Sequence, residues 1–407
     1  MRLLLVAEDV PNRDPHSGDG SSMISYELLT RLPADVDVEL VSFRGDVAVP
    51  AEVAARCLRM HLLGRRSRPA ALLRSAGSLW EVGACERATD EAARLVAGLC
   101  VQHDVTLLHG PHVAFLAASL SGPAVLQVVD PWSIRTRMES VMAGPVRRRF
   151  LGMQARRLEK AERSLPEQVT LLTVGLADAV SWSEVLGRPV TAVSNGVTVA
   201  SPVPRATVPT VCFAGSLDYP PHVDSARRLV LAVAPLVWEV LPQARFVLAG
   251  RRPTADVLEL AGDRVEVRAD VPSLPQELAR AHVAAFADRF GVGVRNTVRE
   301  ALAAGVPVVA TPVAARGIAP VGLVDGLDGG AGEGPVDGLD GGAGEGLVDG
   351  LILAGTDQSL ADEVLRVLTS GVDHAASGGG GPSWDQMVRS YLGLLTAAAR
   401  LPQAGPR

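Results

Sequence analysis

The sequence is poor in cysteine, and its few cysteines are scattered. Four are present, and none of them forms a C-x-x-C pair: Cys57, Cys85, Cys100 and Cys212. No pair of histidines lies at the spacing of zinc ligands either. The pattern argues against a disulfide framework and a structural zinc site, and it favours reduced, buried thiols in a cytoplasmic protein.

Aromatic residues and long apolar runs are also scarce. Aromatics make up 4% of the chain, which argues against a carbohydrate-binding β-sandwich lined with Trp and Tyr. The net charge is −6, so we expect no nucleic-acid partner. The apolar run at residues 3–7 is too short for the core of a secretion signal, and no run reaches the roughly 18 residues of a membrane span.

What the sequence does contain is a regular alternation of short apolar runs and longer helical patterns. The runs occupy residues 3–7, 36–43, 105–109, 124–129 and 169–174, and then 210–214, 245–249, 265–268, 283–287 and 306–310. Such alternation is typical of βαβ units with parallel sheets. A proline-containing linker at residues 200–208 separates the two series. We therefore predict an α/β protein of two Rossmann-like parallel-sheet domains that face a cleft.

The predicted domain boundaries follow from this linker and from the composition. We expect an N-terminal domain at residues 1–200, a C-terminal domain at 201–378, and a last helix with a tail at 379–407 that crosses back to the N-terminal domain. An acidic, glycine-rich insertion at 323–350 carries the sequence VDGLDGGAGEG twice. Gly-Asp repeats can bind Ca²⁺, but the residue order differs from that motif. A flexible, solvated insertion is favoured because glycine-rich chain is costly to order.

The strongest motif is a glycine loop that leads into a helix. Gly291 and Gly293 precede a helical pattern that begins at Asn296 and ends before Gly305. Glycines before a helix N-terminus let backbone N–H groups approach a phosphate, and the helix dipole favours the anion. Glu300 lies one turn inside the helix, where a carboxylate can accept hydrogen bonds from the two vicinal hydroxyls of a ribose. A plain glycine turn with a surface glutamate is the alternative.

Several motifs together resemble the GT-B glycosyltransferases, in particular glycosyltransferase family 4. Residues 290–311, FGVGVRNTVREALAAGVPVVAT, are similar to the nucleotide-sugar motif of that family. Further matches are FAGSLDYPPHVD at 213–224, which resembles a sub-group with an F-x-G-x-x-D-Y-x-P-x-V-D signature, SNGV at 194–197 and FVLAG at 246–250. The resemblance implies a GT-B fold and transfer of a sugar from a nucleotide diphosphate sugar to a hydroxyl acceptor. It also implies retention of configuration, no metal and no other cofactor.

The resemblance assigns roles to individual residues. Glu300 would hold the ribose of the donor, and Val271 would lie where the family cradles the base with its backbone. Five residues would line the sugar and the diphosphate: Gly291, Gly293, Asn296, Gly215 and Ser216. The loop after the first strand would border the acceptor and the donor phosphates, and its predicted residues are Gly18, Asp19 and Gly20.

The sequence departs from the family around the diphosphate. Val292 stands where the family usually has a glutamate, and Thr297 where many members have a lysine. Residues 216–218 lack the arginine or lysine that often follows the first strand of the second domain. Arg295 is the predicted substitute because it lies in the same loop and is always charged, and Arg289 is the second choice. Without such a cation the departing diphosphate is poorly stabilised.

Two residues of the first half complete the predicted catalytic set with Arg295. His109 ends a strand at its carboxyl edge, where α/β sites form, and its alternative is a satisfied core histidine. Asp130 begins a DPWS segment that resembles a D-x-x-S variant of the sub-group, and it could orient the acceptor hydroxyl or take its proton. Its alternative is a helix N-cap or loop carboxylate. His112 is the less favoured histidine of this region.

The predicted partners are a nucleotide sugar donor and a small-molecule, glycan or lipid-linked acceptor. A basic helix at residues 144–163 could contact an anionic membrane surface, but a solvated basic face is favoured because Glu159 and Glu162 interrupt it. Pathways of natural-product, capsule or glycolipid assembly suit such an enzyme equally. The alternative function is a catalytically silent glycosyltransferase-like subunit, which Val292 and Thr297 favour.

Overall fold

The protein consists of two compact units. The computed structural model describes residues 1–14, 20–45, 47–141, 143–201, 203–318, 348–370 and 380–400. The first unit comprises Met1–Asn195 together with the chain from Trp384 onward, and the second comprises Gly196–Ser383. The predicted boundaries, after residues 200 and 378, each differ from these by five residues. The two segments in which the chain changes units pair with each other, because the N–H of Val197 donates to the carbonyl of Pro382 over 3.0 Å.

The first unit contains a seven-stranded parallel sheet. Its strands are β1 (Arg2–Ala7), β2 (Asp37–Phe43), β3 (Arg59–Leu63), β4 (Val105–His109), β5 (Ala124–Gln127), β6 (Thr170–Thr173) and β7 (Thr191–Ala192). Their order is β3-β2-β1-β4-β5-β6-β7. The strand order reverses between β1 and β4, which makes this position a topological switch point. Ligands of open α/β sheets bind at the carboxyl ends of the strands at such a point.

Helices cover both faces of this sheet. They are α1 (Gly20–Arg31), α2 (Ala51–Arg56), α3 (Arg68–Ala76), α4 (Val82–Arg87), α5 (Asp90–Cys100), α6 (Trp132–Val141), α7 (Pro145–Arg163), α8 (Leu176–Leu186), a 3-10 helix at Pro111–Ser119, and the last helix, α15 (Trp384–Ala399). Leu3 and Leu5 of β1 share a core with α1 and α15, whereas Leu4 and Val6 share another with α5 and the 3-10 helix. Both faces of β1 are therefore buried, and this explains its unbroken apolar sequence.

The second unit contains a six-stranded parallel sheet. Its strands are β8 (Thr210–Ala214), β9 (Arg245–Gly250), β10 (Val265–Ala269), β11 (Val283–Phe286), β12 (Val308–Ala310) and β13 (Leu351–Leu353). Their order is β10-β9-β8-β11-β12-β13, so the switch point lies between β8 and β11. The helices are α9 (Pro220–Arg228), α10 (Ala234–Val240), α11 (Ala255–Leu258), α12 (Leu274–Ala279), α13 (Asn296–Ala303) and α14 (Asp357–Ser370), with a π-helical segment at Leu229–Val233 between α9 and α10.

The described chain has three strands that the apolar runs did not predict, namely β3, β7 and β13. The strand β7 has two residues and β13 has three, which is too short to produce a recognisable run. The strand β3 carries Arg59 and His61 and is only partly buried, so it lacks the apolar character of a central strand. The acidic insertion predicted at 323–350 lies outside the described residues except for 348–350. No helix among the described ranges is long and apolar enough to cross a membrane.

Candidate functional site

The residues assigned to the donor gather at one edge of the second sheet. Gly215 and Ser216 follow β8, Val271 comes shortly after β10, Gly291 lies in the loop after β11, and α13 begins at Asn296. Because all these strands are parallel, their carboxyl ends lie at the same edge of the sheet. The loops after β8 and β11 flank the switch point directly.

The loop after β8 is packed so closely that two of its contacts require glycine. A Cβ on Gly250 would lie 1.8 Å from the carbonyl oxygen of Gly215, and a Cβ on Gly215 would lie 2.7 Å from Nδ1 of His222. Burial, together with the charge of Arg295, lowers the pKa of His222 well below its usual value. The imidazole is therefore neutral, and its Nδ1–H donates to the carbonyl of Ser216 over 3.1 Å.

A cation reaches the loop after β8 from the neighbouring strand. Arg251 directly follows β9, and its Nε donates a hydrogen bond to Oγ of Ser216 over 3.1 Å. The N–H of Leu217 donates to the carbonyl of Arg251 over 2.9 Å, so the two loops are also joined through their backbones. The guanidinium of Arg251 thus lies beside residues 216–218, where the sequence itself provides no base.

Arg295, the predicted phosphate cation, is buried next to the same loop. It is 8% exposed and forms an ion pair with Asp288. The central carbon of its guanidinium lies 4.8 Å from the ring centre of Phe213 and 4.6 Å from that of Phe286. Its Nη2 also donates to the carbonyl of Ala214 over 3.4 Å. The charge of Arg295 is therefore balanced inside the unit rather than presented at the surface.

Arg289, the second predicted cation, is directed towards α9. Its Nε donates to Oδ2 of Asp224 over 2.9 Å, and this hydrogen bond raises the pKa of the guanidinium. The side chain is more than half exposed. Compared with Arg289 and Arg295, Arg251 is the arginine whose hydrogen bond ends on a residue assigned to the diphosphate, Ser216.

Glu300 presents a half-buried carboxylate near the start of α13. Among the described residues no group donates a hydrogen bond to this carboxylate, and burial raises its pKa to about 7. The preceding loop is held by Gly291 at φ +143° and Gly293 at φ +80°, conformations that favour glycine. A ligand hydroxyl that donates to this carboxylate would replace the hydrogen bonds with water that burial removes.

The turn after β10 fixes the position of Val271. Asp270 adopts φ +49°, and its N–H donates to the carbonyl of Gly250 over 2.7 Å. Its Oδ1 accepts from the N–H of Arg252 over 3.0 Å, while Nε of Arg252 donates to Asp218 over 2.7 Å. The loops after β8, β9 and β10 are thus linked to one another, and Val271 follows the last of these contacts.

In the first unit, a cluster of charged side chains lies at the carboxyl ends of β1 and β4. Nδ1 of His112 is 3.0 Å from Oε2 of Glu8, and its Nε2 is 3.2 Å from Oε1 of Glu81. Burial alone would raise the pKa of Glu8, but contact with His112 outweighs it and lowers this pKa to about 2. Burial also opposes the charge of His112, yet Glu8 and Glu81 raise its pKa to about 9. His112 is therefore a cation at neutral pH and not a general base.

The same cluster extends to Asp130. Arg135 connects Glu81 of the cluster with Asp130. Its Nη2 lies 3.7 Å from Oε1 of Glu81, and its Nη1 lies 3.7 Å from Oδ2 of Asp130. Asp130 is buried, and one residue, Pro131, separates it from the start of α6. Within the ranges that the structure describes, no group of three or more His, Cys, Asp or Glu side chains is arranged to hold a metal ion.

Two glycines make room for this cluster. A Cβ on Gly110, which has φ +104°, would lie 2.2 Å from the carboxyl carbon of Glu8. A Cβ on Gly83 of α4 would lie 2.5 Å from Nε2 of His112. The backbone therefore approaches both side chains more closely than any other residue allows.

His109 is buried at the end of β4. Its Nδ1 lies 3.5 Å from Oγ of Ser21 on α1. Of the loop predicted to border the phosphates, Gly18 and Asp19 lie outside the described residues, and Gly20 is the first residue of α1. The structure thus places His109 beside the described end of that loop.

A family comparison finds a match within the second unit. Residues 208–370 match the model of the glycosyl transferases group 1, and this stretch contains every donor residue described above. The second unit is therefore similar to a group 1 glycosyl transferase domain. No curated protein sequence matches the chain.

Solved structures extend the likeness of the fold to the whole chain. HepE from Anabaena, in complex with UDP and glucose, is 13% identical over 98% of this chain and 100% of its own, with a TM-score of 0.59. A glycosyltransferase from Rickettsia africae is 10% identical over 98% and 99%, with a TM-score of 0.60. The α,α-trehalose 6-phosphate synthase from Burkholderia multivorans is 12% identical over 98% and 99%, with a TM-score of 0.60. The predicted GT-B fold is confirmed.

Sequence reasoning missed several residues that the fold brings to these two sheet edges. Glu8 and Arg251 are the first residues after β1 and β9, and a polar residue directly after a buried apolar run was an available signal. His112 was ranked low because no local motif reveals its two carboxylate neighbours. Glu81 lies in a region without a clear pattern, and nothing in the sequence indicates its contact with His112.

Proposed function

We propose that this protein is a glycosyltransferase that moves a sugar from a nucleotide diphosphate sugar to a hydroxyl acceptor, with retention of configuration and without a metal. The observation that carries the proposal is the carboxylate of Glu300, half-buried and without a hydrogen-bond donor among the described residues. It stands on α13 behind the glycine loop, within the stretch that matches the glycosyl transferase family. The vicinal hydroxyls of a ribose are the donors that such a carboxylate lacks.

The diphosphate of the donor binds between the loop after β8 and the start of α13. Arg251 supplies the positive charge there, since its hydrogen bond to Ser216 already directs the guanidinium to this loop. The first turn of α13 adds backbone N–H groups, because Arg295 does not cap the helix with its side chain. An arginine and a helix N-terminus stabilise the leaving diphosphate in place of a metal ion.

The acceptor is held by the first unit, where Asp130 and His109 orient its hydroxyl. The bond between the anomeric carbon and the diphosphate oxygen breaks, and the bond from the acceptor oxygen forms on the same face of the sugar. The proton of the acceptor hydroxyl passes to the departing diphosphate. This route follows the resemblance to family 4, and the cationic state of His112 supports it by removing one candidate base.

Donor turnover tests the proposal. The purified protein is incubated with UDP-, GDP-, ADP- and TDP-sugars, beginning with UDP-glucose because HepE binds UDP and glucose. Release of free nucleoside diphosphate is measured for the wild type, Glu300→Ala and the control Glu259→Ala, which replaces an exposed glutamate. We expect slow hydrolysis of one donor that Glu300→Ala abolishes and Glu259→Ala preserves. A protein that binds none of the donors would contradict the proposal.

A catalytically silent, donor-binding subunit is the second candidate. The buried pair of Arg295 with Asp288 favours it, because this predicted cation is already balanced inside the unit. The two candidates differ in one outcome. Donor binding without release of nucleoside diphosphate, even in the presence of hydroxyl acceptors, would favour the silent subunit.

A further inference from the structure

The outer face of α7 combines exposed apolar and basic side chains. Val146, Phe150 and Met153 recur at spacings of four and three, so they lie on one face of the helix, and they are 85%, 57% and 55% exposed. The opposite face, which includes Leu151, Ala155 and Leu158, is buried against the unit. The apolar stripe is therefore not part of the packed face of α7, and an exposed stripe of this kind marks an interaction surface.

Basic side chains accompany this stripe in the first half of α7, where no acidic residue occurs. Residues 145–158 contain five arginines and no acid, and four of these arginines are exposed, namely Arg147, Arg148, Arg149 and Arg156. The two acids of the helix lie further on and are engaged elsewhere. Glu159 pairs with Arg137 and Arg163, and Glu162 is buried where it accepts hydrogen bonds from Ser133. The basic charge of the first half of α7 is thus not balanced along that part of the helix.

Helix α3 also carries exposed apolar side chains. Arg157 of α7 donates a hydrogen bond to the carbonyl of Ser75, which joins the two helices. Leu73 on α3 is 80% exposed, and Leu72 is also exposed. We call the outer faces of α3 and α7, with these apolar side chains and the four exposed arginines of α7, the basic-apolar surface.

We propose that the basic-apolar surface docks this protein on an anionic lipid membrane. The exposed apolar side chains would enter the boundary between headgroups and acyl chains, and the arginines would contact the anionic headgroups. A polyanion in solution would use the arginines but gives no reason for exposed Phe150, Met153 and Leu73 beside them. The combination of charge and apolar area therefore points to a lipid surface, with the helices lying on it rather than spanning it.

Vesicle co-sedimentation of the full chain tests this inference independently of enzyme activity. Vesicles of pure phosphatidylcholine are compared with vesicles that also contain phosphatidylglycerol, at low and high salt. We expect binding to the anionic vesicles only, and weaker binding at high salt. The double variant Phe150→Ser/Met153→Ser is expected to bind roughly tenfold more weakly. The triple variant Arg147→Gln/Arg148→Gln/Arg149→Gln is expected to bind roughly a hundredfold more weakly.

Controls place changes of the same kind on the second unit. Val240→Ser replaces an apolar side chain that is 65% exposed, and the triple control replaces the exposed Arg245, Arg264 and Arg366 by Gln. Both controls should bind vesicles like the wild type, and unchanged far-ultraviolet circular dichroism shows that each variant is folded. Equal binding to both kinds of vesicle, no binding, or equal losses in the controls would overturn the inference. So would full binding by Phe150→Ser/Met153→Ser, which would indicate a purely ionic surface.

Discussion

Arg295 and Asp288 form a buried ion pair next to Gly215, at the switch point of the second sheet. The guanidinium also packs against the rings of Phe213 and Phe286. The pair lies within the loop after β11, and Nη2 of Arg295 joins this loop to the end of β8 by donating to the carbonyl of Ala214. Its role in this account is to hold the donor loops in place, while Arg251 provides the charge at the diphosphate.

Breaking this pair should destabilise the protein strongly. Asp288→Asn leaves the charge of Arg295 buried without a carboxylate, which typically costs about 3–5 kcal/mol in the free energy of unfolding. Arg295→Met combined with Asp288→Leu should cost much less than the sum of the single changes. Urea unfolding of the wild type, Asp288→Asn, Arg295→Met, Asp288→Leu and the double variant measures both quantities. Asp256→Asn, which breaks an exposed pair with Arg227, serves as the control and should cost about 1 kcal/mol or less.

Replacing Arg251 should weaken turnover of the donor. We expect Arg251→Gln to lower kcat/KM for the donor by roughly a hundredfold, because a charge-assisted contact to the leaving diphosphate is lost. Arg252→Gln is the adjacent control, since Arg252 is directed to Asp218 and lies outside the proposed contact. Steady-state kinetics with the preferred donor measure kcat/KM for both variants. Equal losses in the two variants would show that Arg251 acts only through the structure of its loop.

Donor binding should depend on pH through Glu300. The carboxylate has a pKa of about 7, and only its charged form accepts hydrogen bonds from both ribose hydroxyls. The dissociation constant of the nucleoside diphosphate should therefore rise as the pH falls below about 7. Calorimetric titrations between pH 5.5 and pH 8.5 measure this, and Glu300→Gln should remove this part of the dependence. An unchanged profile in Glu300→Gln would assign the titration to another group.

His112 should make the stability of the first unit pH-dependent. Its pKa rises from 6.5 to about 9 on folding, so its contribution is complete below pH 6.5 and is lost as the pH rises through 9. The pKa of Glu8 falls from 4.5 to about 2, so its contribution is complete above pH 4.5 and is lost as the pH falls through 2. The stability difference between the wild type and His112→Gln should be largest between pH 4.5 and pH 6.5. Chemical denaturation across this range tests the prediction, and a constant difference contradicts it.

Two glycine substitutions in neighbouring helices should have opposite effects. Gly83→Ala places a Cβ within 2.5 Å of His112, so we expect a lower melting temperature and a disturbed charged cluster. Gly98→Ala on α5 meets nothing within 4 Å, and it should stabilise the protein by about 0.5–1 kcal/mol because alanine is the better helix former. Thermal unfolding of both variants is the measurement. Similar melting temperatures for the two would contradict the close packing at His112.

The fold was predictable because both sheets are parallel and covered on both faces. Buried strands such as β1 and β8 are then unbroken apolar runs, and the intervals between them are long enough for helices. The position of Glu300 was equally predictable, since the glycine loop and the helix form one continuous local motif. The charged network of the first unit was not predictable from the sequence. Glu8, Glu81 and His112 are distant in sequence, and their protonation depends on contacts that only the fold creates.

In the second unit, local sequence patterns likewise failed to predict the short strand β13 and the contacts of the arginines. The strand β13 has three residues and leaves no periodic signal. Arg295 was the obvious cation by its position in the motif, but Asp288 and two aromatic rings surround it. Arg251 approaches Ser216 from another strand, and this contact depends on the register of β8 and β9.

The claim that Glu300 holds the ribose is tested most directly by a cycle of binding measurements. The affinity of the preferred nucleoside diphosphate is compared with that of its 2′,3′-dideoxy analogue, for the wild type and for Glu300→Gln. We predict that removal of the hydroxyls weakens binding to the wild type by roughly tenfold to a hundredfold and has little effect in Glu300→Gln, because the hydroxyls bind to this charged carboxylate. Equal losses in the two proteins would show that the ribose binds elsewhere, and would contradict the account.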